Sequence, residues 1–248
     1  MLTEPGVYDG IPDHEYHGGL VKGGSLSSTG IRKLLPPSCP ALYRHWADNP
    51  PEPKPSFDLG HAAHKLVLGV GPALALVDRD RWDTKDAKAE VAAVRARGGV
   101  PLHPADWAAV AAMAAQLRAH PLAGHLFDPD RGGQAEQTYV WADPDTGVMC
   151  RARPDWTPAT GGRLVLVDYK TSADLPTTES FERTSWKWHY EVQAAHYLAG
   201  ARALGLGEDD AAFVFVMQHK TPPYPVRVFQ LDADAKASAE QGGSDDGE

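Results

Sequence analysis

The chain has 248 residues, 42% of them hydrophobic, which is enough for one good core and is most economically read as a single α/β domain. No stretch approaches the ~20 apolar residues of a membrane span. The opening MLTEPGVYDG has neither the basic start nor the apolar core of a signal peptide, so a cytoplasmic protein with no membrane partner is expected. In chain order, the prolines of LPPSCP at 35–40 and NPPEPKP at 49–55 predict loops. FDLGHAAHKLVLG then predicts a helix, with Leu59, Ala63, Leu66 and Val67 at helical spacing and Ser56 as its N-cap. His61 and His64 fall three apart on that helix, where a histidine usually packs. Residues 84–97 and 105–120 predict two scaffold helices, the second with Trp107, Val110, Met113 and Leu117 at helical spacing.

Two β-rich runs follow, QAEQTYVW at 134–141 and GVMCRARPDW at 147–156, joined by the turn ADPDTG. The predicted hairpin brings Glu136 near Asp155. Next, LVLVDYK predicts a buried strand that is apolar until it delivers Asp168 and Lys170 to a sheet edge. Residues two apart share a strand face, so Asp168 and Lys170 point the same way, with Tyr169 opposite and its carbonyl near the same place. HYEVQAAHYLAGARALG predicts a helix ending in Gly, with Val192, Ala195, Leu198 and Ala199 on its apolar stripe and Gln193 and Tyr197 together on one face. Trp186 and Trp188 flank Lys187, and exposed aromatics of this kind stack on or wedge between bases; ordinary packing is the alternative. The closing ASAEQGGSDDGE is small, polar and acidic, which predicts a disordered tail.

Glu136, Asp155 and Asp168 converging on one point is a density of charge that a folded interior tolerates only with a cation or cationic partners. A carboxylate that binds a hard divalent ion, beside an ammonium that orients water, is what phosphodiester hydrolysis requires. The structural alternative pairs the three carboxylates with Arg151, Arg153 and Lys170, and an Asp-x-Lys alone also fits a surface ion pair. Cys39 and Cys150 are the only cysteines and have no CxxC partner, which excludes a disulfide framework and a four-Cys iron–sulfur cluster. Both thiols are expected to be buried and reduced. The formal charge of −9 runs against simple phosphate neutralisation. However, Asp232, Asp234, Glu240, Asp245, Asp246 and Glu248, against Lys236, give residues 232–248 a charge of −5 and leave −4 for the body. The local field is what matters, and Arg151, Arg153, Lys170, Arg183 and Lys187 cluster in sequence near the carboxylates.

Pro154, Asp155, Asp168 and Lys170 fit the PD-(D/E)xK nuclease motif. With PGVYDGIPDHEYH at 5–17, CPALYRHW at 39–46, FDLGHAAHKLVL at 57–68 and YPVRVF at 224–229, nearly the whole chain resembles the RecE-like phage and prophage exodeoxyribonucleases, of exonuclease VIII type. The resemblance implies an α/β fold of the PD-(D/E)xK, restriction-endonuclease-like kind, a mixed central sheet flanked by helices. It implies one nuclease domain over 1–235, with a helical and loop part at 1–130, a catalytic core at 131–235, and the tail at 236–248. It also implies Mg²⁺ or Mn²⁺, one or two ions, held by Glu136, Asp155, Asp168, His64 and the Tyr169 carbonyl, with Lys170 positioning the attacking hydroxide. Gln193 and Tyr197 match residues that contact the DNA backbone, with Arg151, Arg153 and Lys187 as further phosphate contacts, and 49–55 reads as an arm beside the DNA channel. The implied reaction is 5′ to 3′ degradation of double-stranded DNA from its ends, leaving 3′ single strands for an annealing recombination protein. A structure-specific or restriction-type endonuclease, and a catalytically idle DNA-binding or assembly module, are the alternatives. Family members form a ring around DNA, and this chain stops soon after AKASAE, which bears on that homo-oligomer.

Overall fold

The computed structural model describes residues 1–49, 58–207 and 209–231. The N-cap expected at Ser56, the arm through Pro50 to Pro55 and the acidic tail lie outside these residues. The elements run β1 (Gly6–Tyr8), α1 (Asp13–His17), α2 (Ser28–Arg32), α3 (Pro40–Asp48), α4 (Asp58–Leu68), β2 (Leu74–Leu76), α5 (Lys85–Ala96), β3 (Val100–Leu102), α6 (Pro104–Ala119) and α7 (Ala123–Leu126). They continue as β4 (Gly133–Ala135), β5 (Thr138–Ala142), β6 (Met149–Ala152), β7 (Trp156–Pro158), β8 (Val165–Ser172), α8 (Thr178–Trp188), α9 (Tyr190–Ala203), β9 (Ala212–His219) and β10 (Val226–Gln230).

A mixed five-stranded sheet in the order β10-β9-β8-β7-β4 forms the centre. Only β8 and β9 are parallel, over eight register pairs from Val165↔Ala212 to Ser172↔His219, and α8 and α9 make the crossover that parallel neighbours need. β8 is covered on both faces, which is why it reads as an aliphatic run. On one face Val167, Tyr169, Val214 and Val216 pack with Ala62 and Ala63 of α4 and Met113 and Leu117 of α6. On the other, Leu166, Phe213, Phe215 and Met217 pack with Ala194, Tyr197 and Ala201 of α9. The same cluster takes in Tyr139, Trp141 and Ala152 of a second, antiparallel sheet, β1-β5-β6, so α9 lies across both sheets. Among the described residues no helix is long and apolar enough to cross a membrane.

Several elements depart from expectation. Asp168 lies in the middle of β8 rather than at its end, because pairing with β9 continues four residues further. Among the described residues the amino-terminal part contains three strands, and β1 pairs with β5, Val7 opposite Tyr139. The buried residues of α9 are Tyr190, Gln193, Ala194, His196, Tyr197, Gly200 and Ala201, while Ala199 of the expected apolar stripe is exposed. Polar and aromatic side chains point inward here because each finds a partner there. On α6, Val110, Met113 and Leu117 are buried as spaced, but Trp107, in the first turn, is exposed. Cys39, at the N-cap of α3, is exposed, whereas Cys150 is buried in β6; both are free thiols.

Candidate active site

The two runs expected to form a hairpin do so, but the ladder is broken midway and its halves belong to different sheets. Tyr139↔Ala152 in β5-β6 and Ala135↔Trp156 in β4-β7 keep one register, which puts Glu136 opposite Asp155 at the break. The Glu136 N–H donates to the Asp155 carbonyl at 3.1 Å. Glu136 itself is left-handed, with φ at 50°, a conformation a side chain with a Cβ adopts only where the surroundings enforce it. Next to Asp155, Pro154 has no N–H to give to a ladder. β7 then pairs with β8 only at Trp156↔Val167, so the sheet opens beside Asp155. Asp155 fills the gap, its Oδ2 accepting the Tyr169 backbone N–H at 2.7 Å.

β8 supplies the other half. Asp168 is 3% exposed, and its Oδ1 accepts from Gln193 Nε2 at 2.6 Å. Its Oδ2 lies 2.6 Å from Lys170 Nζ, a close ion pair that holds the ammonium against the carboxylate. Tyr169 faces the opposite way, as expected; its hydroxyl donates to Gln218 Oε1 at 2.6 Å, and Gln218 Nε2 donates to the Met113 carbonyl at 2.9 Å, which fixes the strand against α6. In a ladder a residue's N–H and C=O leave the strand on the same side, so the Tyr169 carbonyl is directed to the side of Asp155.

The electrostatics follow from crowding. Burial, then the Asp168 charge, push the Asp155 carboxyl well up, with Lys170 and the Tyr169 N–H pulling the other way. Glu136 is raised by burial, then by Asp13 and Asp155. For Lys170, burial favours the neutral amine, but Asp168 and Asp155 outweigh it and its pKa is raised, so it remains a cation. Among the described residues no three His, Cys, Asp or Glu side chains already stand as a ligand set. The donor chemistry nevertheless fits a hard divalent cation: three carboxylates meet in one place, with Asp155 raised by the Asp168 charge and Glu136 by the Asp155 charge.

His64 comes from α4, on the Tyr169 face of the sheet. Its Nδ1 is 3.8 Å from Asp155 Oδ2, its ring lies 5.0 Å from that of Tyr169, and burial lowers its pKa, which favours the neutral imidazole a metal ligand needs. His61, on the same helix, is exposed.

Glu136, Asp155, Asp168, Lys170, Gln193, Tyr197 and Arg153 line one open cleft of about 700 Å³, together with Asp13, Tyr16, His17, Ser28, Thr29 and Arg32. These last six escaped sequence reasoning. They lie on or beside two five-residue helices too short for a periodic signal, and only the resemblance over residues 5–17 touched any of them. Arg153 is held by Asp13 at 2.9 Å, Thr138 Oγ1 at 3.0 Å and the Ile11 carbonyl at 2.8 Å, with its guanidinium 4.1 Å from the Tyr16 ring. Arg151 is not on the cleft wall; it binds Ser25 Oγ at 2.8 Å. Arg183 pairs with Asp174 on the surface, and Lys187, exposed on α8, lies outside the cleft. Of the five bases, Arg153 and Lys170 share the cleft and Arg151 lies beside Arg153 over the Tyr16 ring, whereas Arg183 and Lys187 stand apart. Trp186 and Trp188 are exposed rather than packed.

A solved structure from Eubacterium rectale, of a protein provisionally named an exonuclease, superposes with a TM-score of 0.60 at 12% identity, covering 94% of this chain and 82% of that one. A second, that of SSO0001, reaches a TM-score of 0.30 at 16% identity over 75% and 84% of the two chains, too low to carry an argument. No protein of curated function matches significantly. The first likeness is one of fold, a mixed sheet flanked by helices. The model of one family matches residues 27–241, a span that includes the paired carboxylates, Lys170 and Gln193, and the chain belongs to that family, the PDDEXK-like domain of unknown function DUF3799.

Proposed function

We propose that this protein is a divalent-metal-dependent deoxyribonuclease, and specifically an exonuclease that degrades double-stranded DNA from 5′ ends. The observation that carries the nuclease reading is the meeting of Glu136, Asp155, Asp168 and Lys170 in one open cleft at the split between β7 and β8. A binding module has no use for three crowded carboxylates around a lysine. Nucleases with this core generally work with divalent ions, and Mg²⁺ or Mn²⁺, as one or two ions, would be held by Glu136, Asp155 and Asp168, with the Tyr169 carbonyl and with His64 reaching Asp155 from the Tyr169 face. The bound ion supplies charge neutralisation and a more acidic water. Lys170, kept charged by Asp168 and Asp155, is a poor proton acceptor; it orients the attacking water and offsets charge growing on the phosphorane. Gln193 fixes the Asp168 carboxylate, and Tyr197, Arg153 and Arg32, which line the cleft wall, would meet the substrate phosphates there.

Polarity, the single-strand-annealing partner that receives the 3′ strands and ring assembly rest on the resemblance to RecE-like enzymes alone; the name of the Eubacterium rectale structure supports the exonuclease reading and nothing finer. The decisive experiment is Mg²⁺-dependent digestion of linear duplex labelled at one 5′ or one 3′ end, with closed circular DNA and Lys170→Ala alongside. Loss from 5′ ends with circles spared, and at least a hundredfold lower rate for Lys170→Ala, is expected. Cleaved circles would replace the exonuclease by an endonuclease, and a fully active Lys170→Ala would remove the lysine from the mechanism. Independently of activity, Mg²⁺ or Mn²⁺ should raise the melting temperature of the wild type and not that of Asp168→Asn.

A further inference from the structure

The two helices of the crossover are separated by His189, a non-glycine residue in the left-handed region at φ 52°, ψ 57°, where α8 ends and α9 begins. This break sends its neighbours into opposite environments. Tyr190 turns inward, stacked 4.9 Å from Phe215 with its ring 5.6 Å from Lys170 Nζ. Trp188 and Trp186 stay outside, 53% and 82% exposed. Arg32, a wall residue of the cleft, donates from Nη1 to the Trp188 carbonyl at 2.7 Å and from Nη2 to Thr29 Oγ1 at 3.0 Å. The Trp188 backbone is thus tied to the cleft wall while its indole is left in water. Lys187 completes the group, its Nζ 5.2 Å from the Trp188 ring.

Two indoles exposed within one turn call for an occupant, since large aromatics gain most from burial. The charge of the neighbours selects its kind. Arg32 has five N–H donors and uses two in these bonds, and Lys187 has three. An aromatic face flanked by cations beside a nuclease cleft matches a nucleotide, base on the ring and phosphate on the cations. We propose that Trp188, with Lys187 and Arg32, forms a stacking ledge at the rim of the cleft that holds an unpaired nucleotide of the DNA strand next to the scissile phosphate. This rests on the nuclease reading for its substrate. It adds a binding site on the α8–α9 junction.

The test uses the full chain in EDTA, where metal-dependent cleavage is blocked, and fluorescein-labelled oligothymidylate against an oligomer of the same length made of abasic residues. Trp188→Ala should bind oligothymidylate on the order of tenfold more weakly, Trp188→Phe should keep most of the affinity, and both should match the wild type on the abasic oligomer. Lys187→Ala should lower the slope of log affinity against log salt by about one phosphate contact on either probe. Circular dichroism checks that each variant is folded, which the exposure of both side chains favours. Unchanged binding of oligothymidylate by Trp188→Ala, equal losses on both oligomers, or no binding of oligothymidylate by the wild type would overturn the ledge. Digestion of linear duplex in Mg²⁺ separates the two claims. Cleavage with Trp188→Ala binding normally leaves the nuclease without the ledge, and Trp188-dependent binding without any cleavage leaves the ledge without the nuclease.

Discussion

Glu136 occupies a left-handed backbone that an L residue enters at a cost of roughly 1 kcal/mol, and it does so with a carboxyl raised by burial and by Asp13 and Asp155. Both costs are sustained by the surrounding structure, in which the Glu136 N–H is bonded to the Asp155 carbonyl at the break in the ladder. Glycine at this position removes both, and loses part of the gain to the greater freedom of the unfolded chain. Glu136→Gly is therefore expected to melt higher than the wild type without metal, by up to about 1 kcal/mol or a few degrees, while its Mg²⁺-dependent cleavage falls by at least tenfold. A thermal scan in EDTA paired with a nuclease assay checks this; a variant that melts lower and cleaves normally would make Glu136 an ordinary ladder residue. The same reasoning explains why the residue was only half legible. Its nearness to Asp155 followed from the turn ADPDTG and the alternation on each side, but positive φ at a glutamate carries no sequence signature, so the break in the ladder was invisible. Asp168 and Lys170 were legible because an aliphatic run interrupted by two charges at spacing two is rare in a buried strand.

α9 shows what periodicity misses in a whole element. Its apolar residues suggested one stripe, but the face that packs holds Gln193, His196, Tyr197 and Gly200, because those groups meet Asp168, the Arg151 carbonyl, the cleft and the Trp141 ring. Alanine-rich helices give hydrophobicity scales little contrast, and satisfied polar groups then decide the face. The tight point is Gly200, where a Cβ would come 2.6 Å from the Trp141 ring, itself lodged 4.7 Å from His196. Gly200→Ala gains up to ~1 kcal/mol of helix propensity and loses ~1–3 kcal/mol to overpacking. A net loss of about 1–2 kcal/mol is expected in urea unfolding, with cleavage at low temperature retained; a stabilised variant would show that Trp141 can yield. The short α1 and α2 failed for the opposite reason, being too brief for any period, although they contribute much of the cleft wall.

On the scale of the molecule, α9 joins the two sheets, and His196 is the titratable group at that junction. Its Nε2 lies 3.0 Å from the Arg151 carbonyl, and burial lowers its pKa to about 4, against the help of that bond. The unfolded chain, with an ordinary histidine, binds more protons between about pH 6.5 and 4, so the contribution is fully present above pH 6.5 and is lost as the pH falls through this window, by roughly 3 kcal/mol at its end. Glu136 and Asp155, with raised pKa values, change stability in the opposite sense, favouring the fold as they protonate. The expected outcome is therefore a difference. His196→Gln should flatten the fall in unfolding free energy between pH 6.5 and 4.5 relative to the wild type, and parallel pH curves would remove His196 from the acid response.

The hairpin that passes through both sheets also acts as a ruler. From the Asp143–Val148 closing bond to Gly133↔Pro158 it keeps one count, and Glu136 meets Asp155 only because both arms are measured from the same turn. Losing one residue from either arm moves every later side chain to the other face and parts the two carboxylates, whereas added residues inside the exposed turn leave the count alone. Inherited insertions should therefore accumulate at residues 144–147 and be absent between there and the cleft, a limit on drift imposed by counting alone.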